Sequence, residues 1–179
     1  METMKTRIES DLIGAREIPM ECKYGVQTLR AIDNFPITGI GINRYPNIVK
    51  YLGVIKKAAA VANYETGKIS KEIYEGIVKA CDDVIAGKYN DQFPVDVIQG
   101  GAGTSTNMNA NEVIANVALE YMGHQPGQYE FCSPNDHVNG SQSTNDAYPC
   151  AVHLAMYADH LEMVKHLDLL IESLEKKAE

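Results

Sequence analysis

The sequence predicts a mainly α-helical fold, on three observations. Apolar residues recur at helical spacing from about residue 47 onward, glycines close the successive runs, and residues 143–179 form one uninterrupted periodic stretch. An irregular N-terminal arm precedes these helices.

The arm covers residues 1–46. Gly14, Pro19, Gly25, Pro36, Gly39, Gly41 and Pro46 punctuate it too often for a long helix. Short extended stretches near 24–26 and 37–38 leave room for a short β-hairpin. From Asn47 the period changes. Ile48, Tyr51, Leu52, Ile55, Ala58, Ala59 and Ala62 follow the i, i+3, i+4, i+7 template, which predicts a helix over 47–66 ended by Gly67. Ser70 then caps a helix over 70–86, with Ile73, Ile77, Ala80, Cys81, Val84 and Ile85 on one face and Gly87 closing it. Pro94 forbids helix in the connector 91–99. The turn Gly100-Gly101-Ala102-Gly103 leads into a helix over 104–122 that stops at Gly123, and 123–142 reads as a loop.

The last stretch is the most informative. Residues 143–179 hold no glycine, and their one proline, Pro149, falls in the second turn. Ala147, Ala151, Leu154, Ala158, Leu161, Val164, Leu167, Ile171, Leu174 and Ala178 recur at steps of three and four, the period of a bundle helix. Val152, Met156, Met163 and Leu170 widen the stripe, so more than one face expects a partner. About 30 helical residues span roughly 45 Å, longer than a small domain is wide. Two units follow: a domain over 1–142, and over 143–179 the start of a helix-bundle domain that reads as truncated.

Composition narrows the function. Apolar residues make up 45% and charged residues 22%, the balance of a globular chain. The formal net charge is −8 with acids and bases interleaved, and no basic run exceeds Lys56-Lys57 or Lys176-Lys177, which argues against nucleic acid and anionic membrane as partners. No apolar run is long enough to span a bilayer, and the first residues lack the apolar core of a secretory signal. Cys22, Cys81, Cys132 and Cys150 are widely spaced without a CxxC pair, as expected of reduced thiols in a cytoplasmic protein.

Two segments concentrate small hydroxyl and amide side chains at expected helix starts, one from Gly103 to Asn109 and the other from Gly140 to Asp146. A helix N-terminus presents unpaired N–H groups and a partial positive charge, so it binds a carboxylate or phosphate without Lys or Arg. The same residues are also ordinary caps, and Ser143-x-x-Asp146 has the form of a capping box with Asp in place of Glu. Both readings stand at this point. His153, His160 and His166 lie on the long helix with no third ligand at metal spacing. Asn135, Asp136 and His137 sit among turn formers; turn chemistry accounts for them, and a secondary anion site is the alternative. No metal site and no P-loop is expected.

The blocks 93–113, from Phe93 through Gly100-Gly-Ala-Gly-Thr-Ser105, and 134–149, with Gln142-Ser-Thr-Asn-Asp146, resemble the aspartase/fumarase superfamily. So do Arg7-Ile-Glu-Ser-Asp-Leu-Ile-Gly14 and Tyr24-Gly-Val-Gln-Thr-Leu-Arg30. The likeness covers essentially the whole chain. Ala102 and Thr144 resemble the aspartate ammonia-lyase branch, with the fumarate hydratase branch and a non-catalytic carboxylate-binding or assembly module as alternatives. The resemblance implies a mainly α fold whose N-terminal domain leads into the first long helix of a central bundle. It implies reversible anti elimination of ammonia from L-aspartate to give fumarate, through an aci-carboxylate intermediate, in a homotetramer. Thr104, Ser143 and Thr144 would contact the side-chain carboxylate, and Asn145 the amino group or the developing charge. No cofactor is implied, although divalent cations activate some members. The base of such enzymes is a serine in a Gly-Ser-Ser-x-Met-Pro loop. That motif is absent here, so the catalytic residues expected in this chain number none, and the isolated chain is expected to be inactive.

Overall fold

The computed structural model of the chain describes residues 5–178. Met1 to Met4 and the last residue of the expected long helix, Glu179, lie outside them. Two strands open the chain: β1 (Thr6–Asp11) and β2 (Gly14–Pro19), antiparallel and in register from Thr6 opposite Pro19 to Asp11 opposite Gly14. Among the described residues five α-helices follow: α1 (Val26–Asn34), α2 (Pro46–Glu65), α3 (Lys71–Ile85), α4 (Thr104–Tyr121) and α5 (Thr144–Ala178). Short 3₁₀ turns sit at Ile42–Arg44 and Asn90–Gln92, and a π-helical turn at Pro134–Val138.

The mainly helical fold stands, and the later helices fall where the periodicity places them. Ser70 caps α3 through its side chain, accepting from the Ile73 N–H, as its residue type predicts. The arm is irregular over 20–25 and 35–40, and it holds both a hairpin and a helix. The hairpin lies at 6–19 rather than near 24–26 or 37–38, and 26–34 is helical. In β1 the residues facing inward are Arg7 and Glu9 while Ile8 is 72% exposed, so the hydrophobic alternation is inverted and conceals the strand. Its tip is shaped by the Asp11 carboxylate, which accepts from the Ile13 and Gly14 N–H groups.

Helix α4 is the axis of the molecule. Nearly every residue from Thr106 to Leu119 is buried, with α3, α1, α2 and the π turn packed around it. The apolar core joins Leu52 and Val49 of α2, Ile77 and Val84 of α3, and Val113, Ile114 and Leu119 of α4. A helix buried all round yet carrying Asn107, Asn109, Glu112 and Asn116 draws partners for these side chains from other elements. Asn116 does so by donating to the Lys23 carbonyl and the Tyr129 hydroxyl while accepting from the Gly127 N–H.

The buried face of α2 differs from the expected one. It is Val49, Leu52, Gly53, Lys56, Ala60 and Asn63, whereas Ala58 and Ala62 are exposed. Two polar residues occupy core positions because the loop after the π turn supplies their partners. Helix α5 buries Ala147, Ala151 and Ala155. Beyond the half-buried Ala158, every described residue of α5 is exposed, including Leu161, Leu167, Ile171 and Leu174. Among the described residues no helix is long and apolar enough to cross a membrane.

Candidate functional site

Local chemistry shapes the turn before α4. Gly103, its N-cap residue, has φ +89° and Gly101 φ +68°, a left-handed backbone that favours glycine. Gln99 stands in for the missing side-chain cap: its carbonyl accepts from the Thr106 N–H at 2.7 Å, and its amide donates to the Thr106 hydroxyl at 2.6 Å. Thr104 remains exposed at the first position of the helix. A Cβ at Gly103 would lie 2.2 Å from the Tyr148 ring, so the start of α4 rests directly against the second turn of α5.

The start of α5 is capped from within. The Ser143 N–H meets both oxygens of Asp146 at 3.1 and 3.2 Å, and the Ser143 hydroxyl accepts from the Asn145 N–H. Thr144 is half-buried, with Ser143 and Asn145 exposed beside it. Asn107, one turn into α4, donates from Nδ2 to the Thr144 hydroxyl and to Asn139 Oδ1, each at 3.1 Å. The two hydroxyl-rich helix starts are thus tied together, with Thr104 on one and Ser143, Thr144 and Asn145 on the other. Among the described residues, Asn107 Oδ1 is buried without a partner.

Asn135, Asp136 and His137 belong to a different place. The Ser133 hydroxyl donates to the Asp136 carboxylate, the Ser133 N–H donates to His137 Nδ1, and all three residues lie within or beside the π turn. Asn135 lines a cleft of about 660 Å³ together with Asp11, Leu12, Gln27, Glu112 and Tyr129; Thr104, Ser143, Thr144 and Asn145 do not line it. Among the described residues no three His, Cys, Asp or Glu side chains converge to hold a metal.

Four residues at this place are not among the expected carboxylate contacts: Asn107 and Gln142, which belong to the two hydroxyl- and amide-rich segments, and Lys56 and Asn139, which lie outside them. Lys56, which reads as half of a basic pair, is fully buried, whereas Lys57 pairs with Asp82 at the surface. Lys56 Nζ donates to Asn139 Oδ1 at 2.9 Å and Gln142 Oε1 at 3.0 Å. Burial pushes its ammonium down to about 7, against the pull of the nearby Cys81 and Asp146.

A pH effect follows. Above pH 7 the folded chain holds Lys56 neutral while the unfolded chain keeps it protonated to about pH 10, so unfolding takes up a proton and stability rises with pH by at most about 1.4 kcal/mol per unit. Burial raises the Cys81 thiol and pushes Cys132 up to about 12. Those thiols ionise only on unfolding, which reverses the trend once pH exceeds roughly 8.5. Urea midpoints are expected to rise from pH 7 to about 8.5 and then fall, and Lys56→Met should remove the rising limb.

Residues 14–179 match the family model described as lyase. The chain belongs to this lyase family. Aspartate ammonia-lyase of a Bacillus species is 56% identical over 173 residues, covering 97% of this chain and 36% of that relative. A crystal structure from Brucella melitensis described as fumarate lyase:delta crystallin bound to cobalt matches with a TM-score of 0.94 and 51% identity, over 97% of this chain and 38% of the other. A class II fumarase from Schistosoma mansoni matches at TM-score 0.76 and 38% identity, over 84% of this chain and 32% of the other. The chain therefore spans little more than a third of the length of these lyases. These relatives place the chain within the aspartase/fumarase superfamily.

Proposed function

We propose that this chain supplies the carboxylate-holding part of an aspartate ammonia-lyase, which removes ammonia from L-aspartate to give fumarate. The observation that carries this reading is the union of two helix N-termini by the Asn107 to Thr144 hydrogen bond, in a chain 56% identical to an aspartate ammonia-lyase. Anti elimination takes the proton from the carbon beside the side-chain carboxylate, so charge flows onto that carboxylate. Preorganised donors around it lower the barrier. Thr104, Ser143 and Thr144 fill that role, with Asn145 at the amino group. Exposed hydroxyls at a helix start keep this place open to a dicarboxylate, and backbone N–H groups add to them.

The chain contains no Gly-Ser-Ser-x-Met-Pro segment to provide the base. On this reading the base comes from elsewhere in a homotetramer, in which residues 143–179 begin the central bundle and 1–142 form the domain beside it. Asn135, Asp136 and His137 remain a second, lesser candidate for an anion.

Fumarate formation by the whole protein, followed by ultraviolet absorbance, tests the proposal. Thr144→Val is expected to lower kcat/KM for aspartate by about 10² to 10³, the usual cost of one oxyanion donor. The 179-residue chain alone should give no turnover. Hydration of fumarate to malate without amination would assign the site to the fumarase branch instead.

A further inference from the structure

We propose that Lys56 is a positioning residue for this reaction: from the buried face of α2 it clamps the turn over 139–142, and so sets the aim of Ser143, Thr144 and Asn145. The inference rests on the lyase reading of those three residues.

The turn is held under strain. Ser141 has φ +62°, the only positive φ at a non-glycine among the described residues, and it comes three residues before the α5 start. A non-glycine backbone persists there only when its surroundings over-determine it. Those surroundings are mostly α2 and its C-terminal end. Lys56 donates to Asn139 Oδ1 and Gln142 Oε1, Asn63 donates to the Gly140 carbonyl at 2.8 Å, and Lys68 reaches the Ser141 hydroxyl at 2.9 Å. Gln142 then donates to the Val138 and Gly140 carbonyls, and Asn139 to the Gln142 carbonyl. Asn139 Oδ1 also accepts from Asn107, the residue that holds Thr144. Lys56 is therefore three hydrogen bonds from the proposed carboxylate contact at Thr144, through Asn139 and Asn107.

A core lysine is costly to keep, and its two acceptors here are both amide oxygens rather than carboxylates. Filling the core would be done better by Leu or Met. Two N–H donors aimed at two turn residues suit fixing that turn.

The test combines amide hydrogen exchange with kinetics on the whole protein, comparing wild type with Lys56→Met and Lys56→Gln. In Lys56→Met, losing these bonds should speed exchange over 140–145 about tenfold or more and raise KM for aspartate by a similar factor, with amides of α3 and α4 unchanged. Lys56→Gln, which keeps a donor, should recover part of both. Unchanged exchange over 140–145, or an equal increase throughout α2, α3 and α4, would overturn the proposal, the second outcome marking Lys56 as a packing residue only. If Lys56→Met does not fold, Gln142→Leu removes one acceptor from the half-buried turn and bears on the same exchange readout. A wild-type protein that fails to turn over aspartate defeats the lyase reading, while the exchange comparison still decides whether Lys56 holds the turn.

Discussion

Replacing Glu112 with alanine is expected to destabilise the fold by on the order of 4 kcal/mol and to release α1 from α4. The Glu112 carboxylate, buried in the central helix, accepts from the N–H groups of Gly25, Gln27 and Thr28 at 2.8, 2.8 and 3.0 Å, and from the Thr28 hydroxyl at 2.6 Å. Burial raises its pKa, and these four donors work against that rise. Three of them are backbone N–H groups left open at the start of α1, where the N-cap residue, Gly25, has no side chain to offer. Glu9, paired with Arg7 at 2.8 Å, takes the Val26 N–H in the same way. A Cβ at residue 25 would come within 2.5 Å of Glu9 Oε2 and 2.8 Å of Glu112 Oε1, so glycine is what lets both carboxylates approach. Alanine at 112 would leave three buried donors and the half-buried Gln27 N–H unmet, with a cavity beside them. Measured against a usual stability of roughly 5–15 kcal/mol, such a loss is large enough to show plainly in a urea titration. Glu112→Gln keeps one acceptor oxygen and should cost about half as much. A loss below about 1 kcal/mol for Glu112→Ala would mean that packing, rather than this carboxylate, holds α1.

The same residues explain how much of the fold was legible in the sequence. Helices α3, α4 and α5 announce themselves because their signals are local: Ser70 and Gly87 bracket one, Gly123 ends another, and α5 holds an unbroken apolar period. The start of α1 carries no local signal. Its caps, Glu9 and Glu112, stand far along the chain, and no window of sequence contains Gly25 together with Glu112. The hairpin is hidden because Arg7 and Glu9 point inward. The buried face of α2 was misplaced because Lys56 and Asn63 occupy it, and a polarity count assigns such residues to solvent. At the site the split is similar. Thr104, Ser143 and Thr144 are visible as hydroxyls at helix starts. Lys56, Asn107, Asn139 and Gln142 acquire their roles only when α2, α4 and the turn before α5 meet.

That meeting depends most sharply on Gly103, and Gly103→Ala is expected to destabilise the protein by on the order of 3 kcal/mol while disabling the site. Two costs combine. With φ at +89°, an L side chain there is strained whatever space surrounds it, at about 1 kcal/mol or more. The added methyl would also lie 2.2 to 2.5 Å from three atoms of the Tyr148 ring, so α5 must shift away or the ring must turn out. A shift of α5 would pull Thr144 away from α4 and break the bond that Asn107 makes to it. The two costs can be told apart. Tyr148→Ala in the Gly103→Ala background removes the overlap but leaves the backbone strain, so in the whole protein the double variant should regain the proposed aspartate turnover relative to Gly103→Ala while its urea midpoint stays below that of Tyr148→Ala alone. Strictly additive losses in the double variant would show that the ring and the glycine do not act on each other, and that the convergence of α4 and α5 rests on other contacts. Coupling between them would show that the proposed carboxylate site depends on a single missing methyl group.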